Sequence, residues 1–567
     1  MGKFEKEILS SLKKVFPEIK SLPELEIPPD PKMGDLGFGC FSLSKELQKP
    51  PEKIAETLAL KIKPGAFIEK VKNYGPYLNF FFKKQVCLPL ILKTIFLEKD
   101  LSLKEYKNRN ILIEFSSPNT NKPLHLGHLR NTVLGNAISN LFAKVGARVI
   151  RINLINDRGI PIIKAMIGWE KWGKGKTPET EKVKSDHFVG YYYVLFETKA
   201  KELPEIKKYP QELLKKWEKK HPGTLLLWQK INNWALKGFS QTYKKLGVSF
   251  DKIEFESEVY ESGKKIIKRA LKKKIVQKRT DGAIEIDLED LGKRVLLRPD
   301  GTSVYITQDI GLAYKRVREF QLDKLIYVVA SEQDYYFQCL FKTLKKLGLK
   351  NVKDFYHLSY GLVNLPEGKM KSREGKVVDA DDLIQQMEDM AKKEVQSRWP
   401  DTPIEKINQR AEKIALAAIK FYLLYFTPPR NILFDPKKSL SIEELGGPYL
   451  LYTYARANSI LEKSKYNLQI KDIGNIDFSK LDTEKDLNIF RNLFFWPEII
   501  KKSVKEYNPA HLANFLIKIA QSFNEFYHSE KVINSSLEKQ RVFLVKAVAK
   551  VIKDGLSLLG IDVIKKM

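Results

Sequence analysis

Hydrophobic and polar positions follow a helical period at the start of the chain. Apolar residues recur there every four positions, at Phe4, Ile8, Leu12 and Phe16. This spacing is typical of the buried face of an amphipathic helix. The aromatic segment 74–82 is typical of a strand. Residues 1–106 are therefore predicted to form a small α+β domain.

Short apolar runs rich in β-branched residues alternate with helical periods over residues 107–405. The runs that predict strands are 110–116, 147–155, 324–330 and 354–363. Strand–helix–strand alternation is typical of an α/β domain with a doubly wound parallel sheet, whose ligands lie at the carboxyl ends of the strands. A Lys- and Glu-rich stretch at about 169–238 lacks strand signals and is predicted to be a helical insertion.

The last third of the chain, residues 406–567, has helical periods almost throughout. The predicted helices are 407–426, 441–464, 487–507, 509–527 and 538–559. Long amphipathic helices punctuated by Pro and Gly predict an all-α helical bundle. The chain is thus expected to have three domains, with boundaries near residues 106 and 405.

Composition narrows the choice of partners. The chain has 567 residues, and its 99 Lys and Arg against 69 Asp and Glu give a formal charge of +30. Such an excess favours nucleic acid as a partner, and the longest apolar runs are too short to span a membrane. Cys40, Cys87 and Cys339 form no CxxC pair, which disfavours a thiolate zinc site or a disulfide framework. A reducing, cytoplasmic compartment is expected.

Candidate chemistry concentrates in the segment SSPNTNKPLHLGHLRN, which follows the first strand of the α/β part. His125 and His128 lie three positions apart with Gly127 between them, so both imidazoles fall on one face of a helix's first turn. Free backbone N–H groups at such a turn suit a phosphate, and imidazole N–H groups can stabilise charge that develops on it. No nearby Cys or Glu completes a metal-ligand spacing. The alternative is a capped helix with two stray histidines.

A second basic element, GKMKSREGKVV, spans Gly368–Val378. Cations in such a glycine-flanked loop could contact the β- and γ-phosphates of a nucleotide. Its candidate phosphate ligands are Lys369, Lys371, Ser372 and Arg373. The alternative is a solvated basic loop.

Together these two elements resemble the signatures of class I aminoacyl-tRNA synthetases. The fuller SSPN-x-x-KPLHLGHLRN segment, VYITQDIGLAYKR (304–316), VVASEQDYYF (328–337) and the stretch 434–461 resemble arginyl-tRNA synthetases in particular. The resemblance implies a Rossmann-like catalytic domain with an N-terminal domain that binds the tRNA elbow and a helical domain that binds the anticodon. It also implies that amino-acid activation depends on bound tRNA.

The same resemblance assigns roles to single residues. Those implied to bind arginine are Asn119, Glu256, Tyr305, Asp309 and Gln333. A guanidinium has five N–H donors and a permanent charge, so a selective pocket needs carboxylates such as Asp309 and Glu256. Those implied to bind ATP are His125, Gly127, His128, Lys371 and Ser372. Those implied to contact tRNA are Asn79, Tyr452, Tyr454, Arg456 and Met567.

One departure from the family pattern leaves a role open. Lys371 stands where a K-M-S-K-S loop has its middle serine, and Ser372 stands where it has its second lysine. Lys122, in the segment before the histidines, matches the lysine that many arginyl enzymes use instead. Either Lys122 or Lys371 is therefore expected to stabilise the leaving pyrophosphate.

The implied reaction is ATP-dependent activation of L-arginine and its transfer to the 3′-terminal ribose of tRNA(Arg). ATP is expected to carry Mg²⁺ on its phosphates, with no zinc, and a monomer is expected by analogy. Two alternatives remain. One is another H-x-G-H enzyme, either a cysteinyl-type synthetase or a small-molecule nucleotidyltransferase. The other is a catalytically inactive tRNA-binding scaffold.

Overall fold

The computed structural model describes residues 2–98, 101–366, 378–441 and 446–566. Its strands are β1 (Leu36–Gly39), β2 (Ile68–Tyr74), β3 (Tyr77–Phe82), β4 (Asn110–Glu114), β5 (Arg148–Ile155), β6 (Lys252–Phe255), β7 (Gln277–Lys278), β8 (Ile284–Asp287), β9 (Lys293–Leu297), β10 (Lys324–Ala330), β11 (Phe355–Tyr360), β12 (Val363–Asn364) and β13 (Ile432–Leu433).

The α-helices in the same residues are α1 (Gly2–Val15), α2 (Phe41–Leu47), α3 (Pro51–Lys61), α4 (Lys84–Phe96), α5 (Leu126–Lys144), α6 (Ile160–Trp172), α7 (Ser185–Glu202), α8 (Tyr209–Glu218), α9 (Pro222–Lys245), α10 (Glu256–Val259), α11 (Ser262–Lys272), α12 (Tyr305–Phe320), α13 (Asp334–Lys346), α14 (Ala380–Arg398), α15 (Ile404–Tyr425), α16 (Pro436–Leu440), α17 (Gly447–Lys463), α18 (Glu484–Phe494), α19 (Trp496–Lys505), α20 (Ala510–Ser529) and α21 (Glu538–Leu558).

The chain divides into two compact units, residues 104–437 and residues 1–103 together with 438–567. The first unit contains a sheet of order β11-β10-β4-β5-β6, in which each described pair of neighbours is parallel. The predicted parallel α/β architecture is thereby confirmed. The strand order changes direction at β4, and ligands of such sheets bind at the carboxyl ends of the strands beside that point.

Apolar side chains cover both faces of this sheet. Ile111, Leu112 and Ile113 of β4 are all fully buried, as expected for a central parallel strand. Leu112 shares a core with residues of α12 and α13, including Ile310 and Leu340. Because side chains alternate along a strand, Ile111 and Ile113 point to the opposite face.

The stretch between β5 and β6 carries the predicted helical insertion, formed by α7, α8 and α9 after α6. A small antiparallel sheet of order β7-β8-β9 lies between α11 and α12 in the sequence, and the hydrophobic pattern did not reveal it. Its strands are short, with two to five residues each.

The second unit combines the start and the end of the chain. Its sheet has the order β1-β3-β2 with antiparallel pairs. Arg491 of α18 is buried and lies 3.0 Å from the carboxylate of Asp35, which also accepts the backbone N–H of Phe82 at 2.8 Å. The rings of Phe4, Phe82 and Phe494 pack with centroids 5.1–5.8 Å apart. The predicted three-domain division stays a prediction beside these two units.

The helix predicted over 487–507 is in fact two helices, α18 and α19, which meet at Phe495. Pro497 lies in the first turn of α19, where its missing N–H costs no intrahelical bond. Among the described helices, none is long and apolar enough to cross a membrane.

Candidate active site

The turn after β4 has a strained backbone that buried side chains hold in place. Ser116 and Ser117 have φ angles of +73° and +45°, in the left-handed region that non-glycine residues rarely adopt. The N–H of Ser116 donates to Asn131 Oδ1 at 2.5 Å, and the N–H of Ser117 donates to Asn153 Oδ1 at 3.0 Å. The Ser116 hydroxyl also lies 2.7 Å from that of Tyr243. These bonds hold the segment that follows β4 in a conformation that crosses the carboxyl edge of the sheet.

His125 and His128 form the N-terminal cap of α5. The Nδ1 atom of His125 accepts the N–H of Gly127 at 3.1 Å, and the Nδ1 atom of His128 accepts the N–H of His125 at 3.1 Å. Their ring centroids lie 3.8 Å apart. A Cβ atom on Gly127 would lie only 3.0 Å from the His125 ring. We name this arrangement, residues 125–128, the histidine turn.

Burial determines the charge of both rings, and the capping bonds determine which ring nitrogen carries the proton. Burial lowers the pKa of His125 to about 4, with a further contribution from Lys122. Burial also lowers the pKa of His128 well below its usual range. Both imidazoles are therefore neutral near pH 7. Because each Nδ1 accepts a backbone N–H, each ring carries its proton on Nε2, which leaves two neutral N–H donors at the helix terminus.

Helix α5 forms hydrogen bonds with the chain on either side of residues 367–377, and with the segment 428–430. The guanidinium of Arg130 is buried and donates to the carbonyls of Pro428 and Arg430 at 2.9 and 2.7 Å, and to that of Gly361. On the other flank, the N–H of Leu126 donates to the carbonyl of Val378 at 2.9 Å. Lys371 and Ser372 lie outside the described residues.

Lys122 lies before the histidine turn and is half-buried. Burial lowers the pKa of its ammonium group, and its charge in turn lowers the pKa of both histidines. The ammonium group of Lys122 thus lies near enough to both imidazoles for its charge to act on them.

Asp309 lies on the first turns of α12, one turn after Tyr305. Its carboxylate accepts a hydrogen bond from the hydroxyl of Tyr336 on α13. Burial raises the pKa of Asp309 to about 6, and the Tyr336 bond opposes that rise. Tyr305 is 76% exposed, so its ring is available to a ligand. Sequence reasoning missed Tyr336, although it lies three residues after Gln333 in a segment already singled out.

Glu256 follows the last residue of β6, at the same edge of the sheet. Burial raises its pKa to about 7; Arg158 opposes the rise, while Asp157 and Asp309 add to it. Glu256 Oε1 lies 3.9 Å from a guanidinium nitrogen of Arg158. The charge of Asp309 thus acts on Glu256 across this edge of the sheet.

The loop after β5 orients Glu256 and was missed by the sequence reasoning. Asp157 accepts the N–H and the hydroxyl of Ser257 at 2.9 and 2.6 Å. The guanidinium of Arg158 lies over the ring of Tyr260, 4.2 Å from its centroid. The signal was available, because Asp157 and Arg158 follow a strand at the carboxyl edge where ligands bind.

Two glycines allow the Glu256 and Asp309 segments to approach each other. A Cβ on Gly263 would lie 1.8 Å from the carbonyl oxygen of Thr307, and one on Gly311 would lie 2.0 Å from the Ser262 hydroxyl. Helices α11 and α12 therefore cross at a distance that no larger residue permits.

Asn119 and Gln333 occupy two other loops at the carboxyl edge. Asn119 is exposed and forms a backbone bridge with Asn156 of the loop after β5. Gln333 is exposed and ends the 3₁₀ turn that follows β10. The predicted arginine-binding residues therefore all lie in the segments that directly follow strands β4, β6 and β10 or at the start of α12.

One group of histidine and acidic side chains in the described residues has donor atoms converging within 4.8 Å, namely Asp186, His187 and Asp381. The ammonium of Lys184 donates to both carboxylates of this group, at 2.9 and 2.7 Å. Because an ammonium already neutralises these oxygens, the group is an ion-pair network and does not fit a Mg²⁺ ion.

Three family models match the chain. The model for tRNA synthetases class I (R), catalytic domain, matches residues 91–431. The DALR anticodon binding domain matches residues 450–567, and the arginyl tRNA synthetase N terminal domain matches residues 2–82. The catalytic model alone covers more than half of the chain. The chain belongs to the arginyl-tRNA synthetase family.

Similar proteins extend this result along the whole chain. The arginine–tRNA ligase of Treponema denticola is 41% identical over 584 residues, covering 100% of this chain and 99% of the relative. That of Borrelia hermsii is 39% identical over 590 residues, covering 100% of both. The solved arginyl-tRNA synthetase of Thermus thermophilus is 26% identical with a TM-score of 0.83, covering 100% of this chain and 99% of that one. As in other class I synthetases, ATP is a substrate.

The tRNA-contact residues implied by the arginyl-tRNA synthetase family lie in the second unit. Arg456 lies over the rings of Tyr452 and Tyr527, with its guanidinium carbon 4.6 and 4.4 Å from their centroids. It also donates to Asn524 at 2.6 Å. Sequence reasoning missed Tyr527 and Asn524, since both come from α20, about 70 residues from Arg456 in the chain.

Two of the implied tRNA contacts are buried instead. Tyr454 is 6% exposed and packs within the helices, and Asn79 is 3% exposed and donates to the carbonyl of Met33 at 3.2 Å. The exposed aromatic residues near Asn79 are Phe41 and Tyr77, whose ring centroids lie 5.8 Å apart. Met567 lies outside the described residues.

Proposed function

We propose that this chain forms arginyl-tRNA in two steps at the carboxyl edge of its parallel sheet. In the first step an oxygen of the arginine carboxylate attacks the α-phosphorus of ATP, the bond to the bridging oxygen breaks, and pyrophosphate leaves. In the second, a ribose hydroxyl at the 3′ end of tRNA attacks the arginyl carbonyl, and AMP leaves. The observation that carries the proposal is the pair of part-buried carboxylates, Asp309 and Glu256, at this edge.

The amino-acid pocket suits a guanidinium and disfavours neutral side chains. Asp309 and Glu256 supply the negative charge, Tyr336 orients Asp309, and the exposed ring of Tyr305 offers a flat surface for the planar cation. Asn119 and Gln333 are proposed to hold the α-amino and carboxylate end of the substrate. Arg158 lies beside Glu256, at 3.9 Å, and burial still raises the pKa of both carboxylates, so the cation of a bound arginine would offset part of the cost of burying them.

The histidine turn is proposed to bind the phosphates. The neutral Nε2–H donors of His125 and His128 stabilise negative charge as the α-phosphate becomes five-coordinate. Gly127 lets the nucleotide approach the backbone. No covalent enzyme intermediate is required, because positioning and charge stabilisation supply the rate enhancement.

Lys122 is proposed to stabilise the departing pyrophosphate. Its charge lowers the pKa of both histidines, which places it within electrostatic range of the turn. Lys371 remains the alternative. Mg²⁺ enters as the ion carried by ATP, in keeping with its preference for phosphate oxygens and water.

Transfer to tRNA(Arg) uses the second unit, whose Arg456, Tyr452 and Tyr527 offer stacking surfaces for unpaired bases. The excess positive charge of the chain supports contact with many phosphates. We further propose that the chain acts as a monomer in the cytoplasm. Its three cysteines are buried free thiols, which is consistent with a reducing compartment.

The proposal is tested by charging tRNA(Arg) with radiolabelled amino acids in the presence of ATP and Mg²⁺. Arginine should be attached, whereas citrulline, which has arginine's shape without its charge, should not be attached or activated. Lysine carries the charge without the planar fork and should be about 10⁴-fold poorer, the lower end of the discrimination expected when buried polar groups lose their partners. Equal charging of arginine and citrulline would refute the carboxylate pocket.

A further inference from the structure

A buried polar cluster joins the helical insertion to the start of α14. Lys184, the residue before α7, donates to Asp186 at 2.9 Å, to Asp381 at 2.7 Å and to the hydroxyl of Thr242 on α9 at 2.7 Å. Nε2 of His187 lies 3.1 Å from the same oxygen of Asp381. These side chains are between 0% and 25% exposed.

The cluster continues to the histidine turn through the first residues of α14. Asp379 caps α14 by accepting the N–H groups of Asp381 and Asp382 at 2.8 and 3.1 Å, and its carboxylate lies 3.5 Å from His187 Nε2. Its backbone pairs with that of His125 in an antiparallel bridge. The bonds of this bridge are Leu126 N–H to Val378 and Ala380 N–H to Leu124, both 2.9 Å.

Helix α7 also touches the segment that carries Lys122. A Cβ atom on Gly190 would lie 2.7 Å from Cδ of Pro123 and 3.6 Å from Cα of Lys122. Gly190 lies one turn after His187. The first two turns of α7 thus reach the candidate phosphate site in two ways. Gly190 lies directly against the segment of Lys122, and His187 contacts Asp379, whose backbone pairs with His125.

We propose that His187, together with Lys184 and Asp381, is a positioning residue for amino-acid activation. The cluster holds the start of α14 against the histidine turn, so that the Nε2–H donors of His125 and His128 keep the orientation that the phosphates require. His187 does not touch the reacting atoms. This inference rests on the proposed function of the histidine turn.

The charges around His187 make the cluster dependent on its proton. Three carboxylates, those of Asp186, Asp379 and Asp381, face the single ammonium of Lys184. Asp382 lies further out, and α9 contributes the neutral hydroxyls of Thr242, which donates to Asp381, and of Tyr243, which lies near Asp186. Burial acts to lower the pKa of His187, but the bond to Asp381 and the nearby carboxylates outweigh it, so the pKa is raised. The proton is present below that raised pKa and is lost as the pH rises through it.

The experiment is tRNA-dependent ATP–pyrophosphate exchange with the full-length chain, for wild type, His187→Ala and His187→Gln, between pH 6 and 9. Gln keeps an N–H donor near the place of Nε2 but does not titrate. His511→Gln is the control, because His511 pairs with Glu506 in the other unit. Thermal unfolding and tRNA binding, measured on every variant, separate positioning from loss of fold.

We expect His187→Ala to lower kcat for exchange about tenfold, the effect of one charge-assisted hydrogen bond. The KM for arginine should not change. His187→Gln should restore most of kcat, and the ratio of wild-type to His187→Gln activity should fall as the pH rises. If wild type is active and His187→Ala matches it at every pH, the inference is wrong while the proposed function stands. The inference would also be overturned if His187→Ala raised the KM for arginine and left kcat unchanged. No arginine-dependent exchange by wild type would refute the proposed function itself.

Discussion

The hydroxyl of Tyr336 donates a hydrogen bond to Oδ2 of Asp309. The two residues come from different helices, α13 and α12, so the bond fixes the Asp309 carboxylate relative to the strand β10 edge where Gln333 lies. It also opposes the rise in the pKa of Asp309 that burial causes. An ionised, oriented carboxylate is what the proposed guanidinium site requires.

Replacing Tyr336 by Phe should weaken arginine binding. The loss of a donor to a charged group raises the pKa of Asp309 and releases its side chain, so the KM for arginine should rise about tenfold. The KM for ATP should stay unchanged. Tyr335→Phe is the matched control, since the Tyr335 hydroxyl donates to the carbonyl of Leu291 instead. Equal effects of the two substitutions in steady-state exchange would contradict the assigned role.

Arginine affinity should depend on pH through the two pocket carboxylates. The pKa is about 7 for Glu256 and about 6 for Asp309, and only the ionised forms attract the substrate cation. Affinity should therefore fall as the pH drops from 8 to 5.5, first as Glu256 is protonated and then as Asp309 is protonated. Glu256→Gln should remove the upper step. Calorimetric titration with arginine across this range would measure both, and a pH-independent affinity in wild type would exclude the carboxylates as ligands.

His125 has two functions that one substitution can separate. Asn at this position keeps an oxygen that can accept the Gly127 N–H as a helix cap, but it lacks the Nε2–H donor. His125→Asn should therefore lower kcat by about 10²–10³, the usual effect of losing one such donor, and leave the free energy of unfolding near that of wild type. His125→Ala should show the same low kcat as His125→Asn. It should also lower the free energy of unfolding by about 1 kcal/mol, because the helix cap is lost. If Asn restores activity, the cap and not the donor is what catalysis needs.

The sheet beneath Asp309 contains a buried ion triad. Arg316 of α12 is fully buried; its Nε donates to Glu254 at 2.9 Å, and it also pairs with Glu114. Arg316→Met leaves Glu114 without its cation and leaves Glu254 only the ammonium groups of Lys252 and Lys315, 3.7 and 3.6 Å away. It should lower the free energy of unfolding by about 3–5 kcal/mol. The triple variant E114Q/R316M/E254Q should recover most of this, because no unpaired charge remains. Chemical denaturation measures both, with the exposed Arg318→Met as control. If the triple variant were as unstable as Arg316→Met, the loss of stability would come from the packing of the Arg316 side chain and not from its charge.

Arg456 should contribute to tRNA binding through stacking as well as charge. Arg456→Met removes one positive charge, as does Lys463→Met on the same helix, α17. Both should therefore reduce the salt dependence of tRNA affinity equally. Arg456→Met should weaken binding about tenfold more, the value of one stacked base. Filter binding at several salt concentrations tests this, and identical affinities for the two variants would remove Arg456 from the interface.

The sequence predicted the parts of the fold that depend on local pattern. Strands of a parallel sheet are rich in apolar and β-branched residues, so β4, β5, β10 and β11 were recognisable. The helices of the last third followed from their 3.6-residue period. Strands β7 to β9 were missed because they are too short to show alternation. The pairing of Asp35 with Arg491 could not be foreseen, since it joins residues 456 positions apart whose neighbours carry no common pattern.

Candidate site residues were predictable where a short motif contains them. His125 and His128 are close in the chain, and their shared helix turn follows from spacing alone. Tyr336, Asp157 and Arg158 act by orienting Asp309 and Glu256 across helices and strands, and such contacts depend on packing. The left-handed backbone of Ser116 and Ser117 was equally hidden, because the side chains that stabilise it come from α5, β5 and α9.

The central claim is that this chain activates arginine through Asp309 at a site next to the histidine turn. The most direct test is ATP–pyrophosphate exchange with arginine, with and without tRNA(Arg), for wild type and Asp309→Ala, with the exposed Asp300→Asn as control. We predict exchange by wild type and the control with arginine and tRNA present, and none by Asp309→Ala. Undiminished exchange by Asp309→Ala, or exchange by wild type with an amino acid other than arginine, would contradict the account.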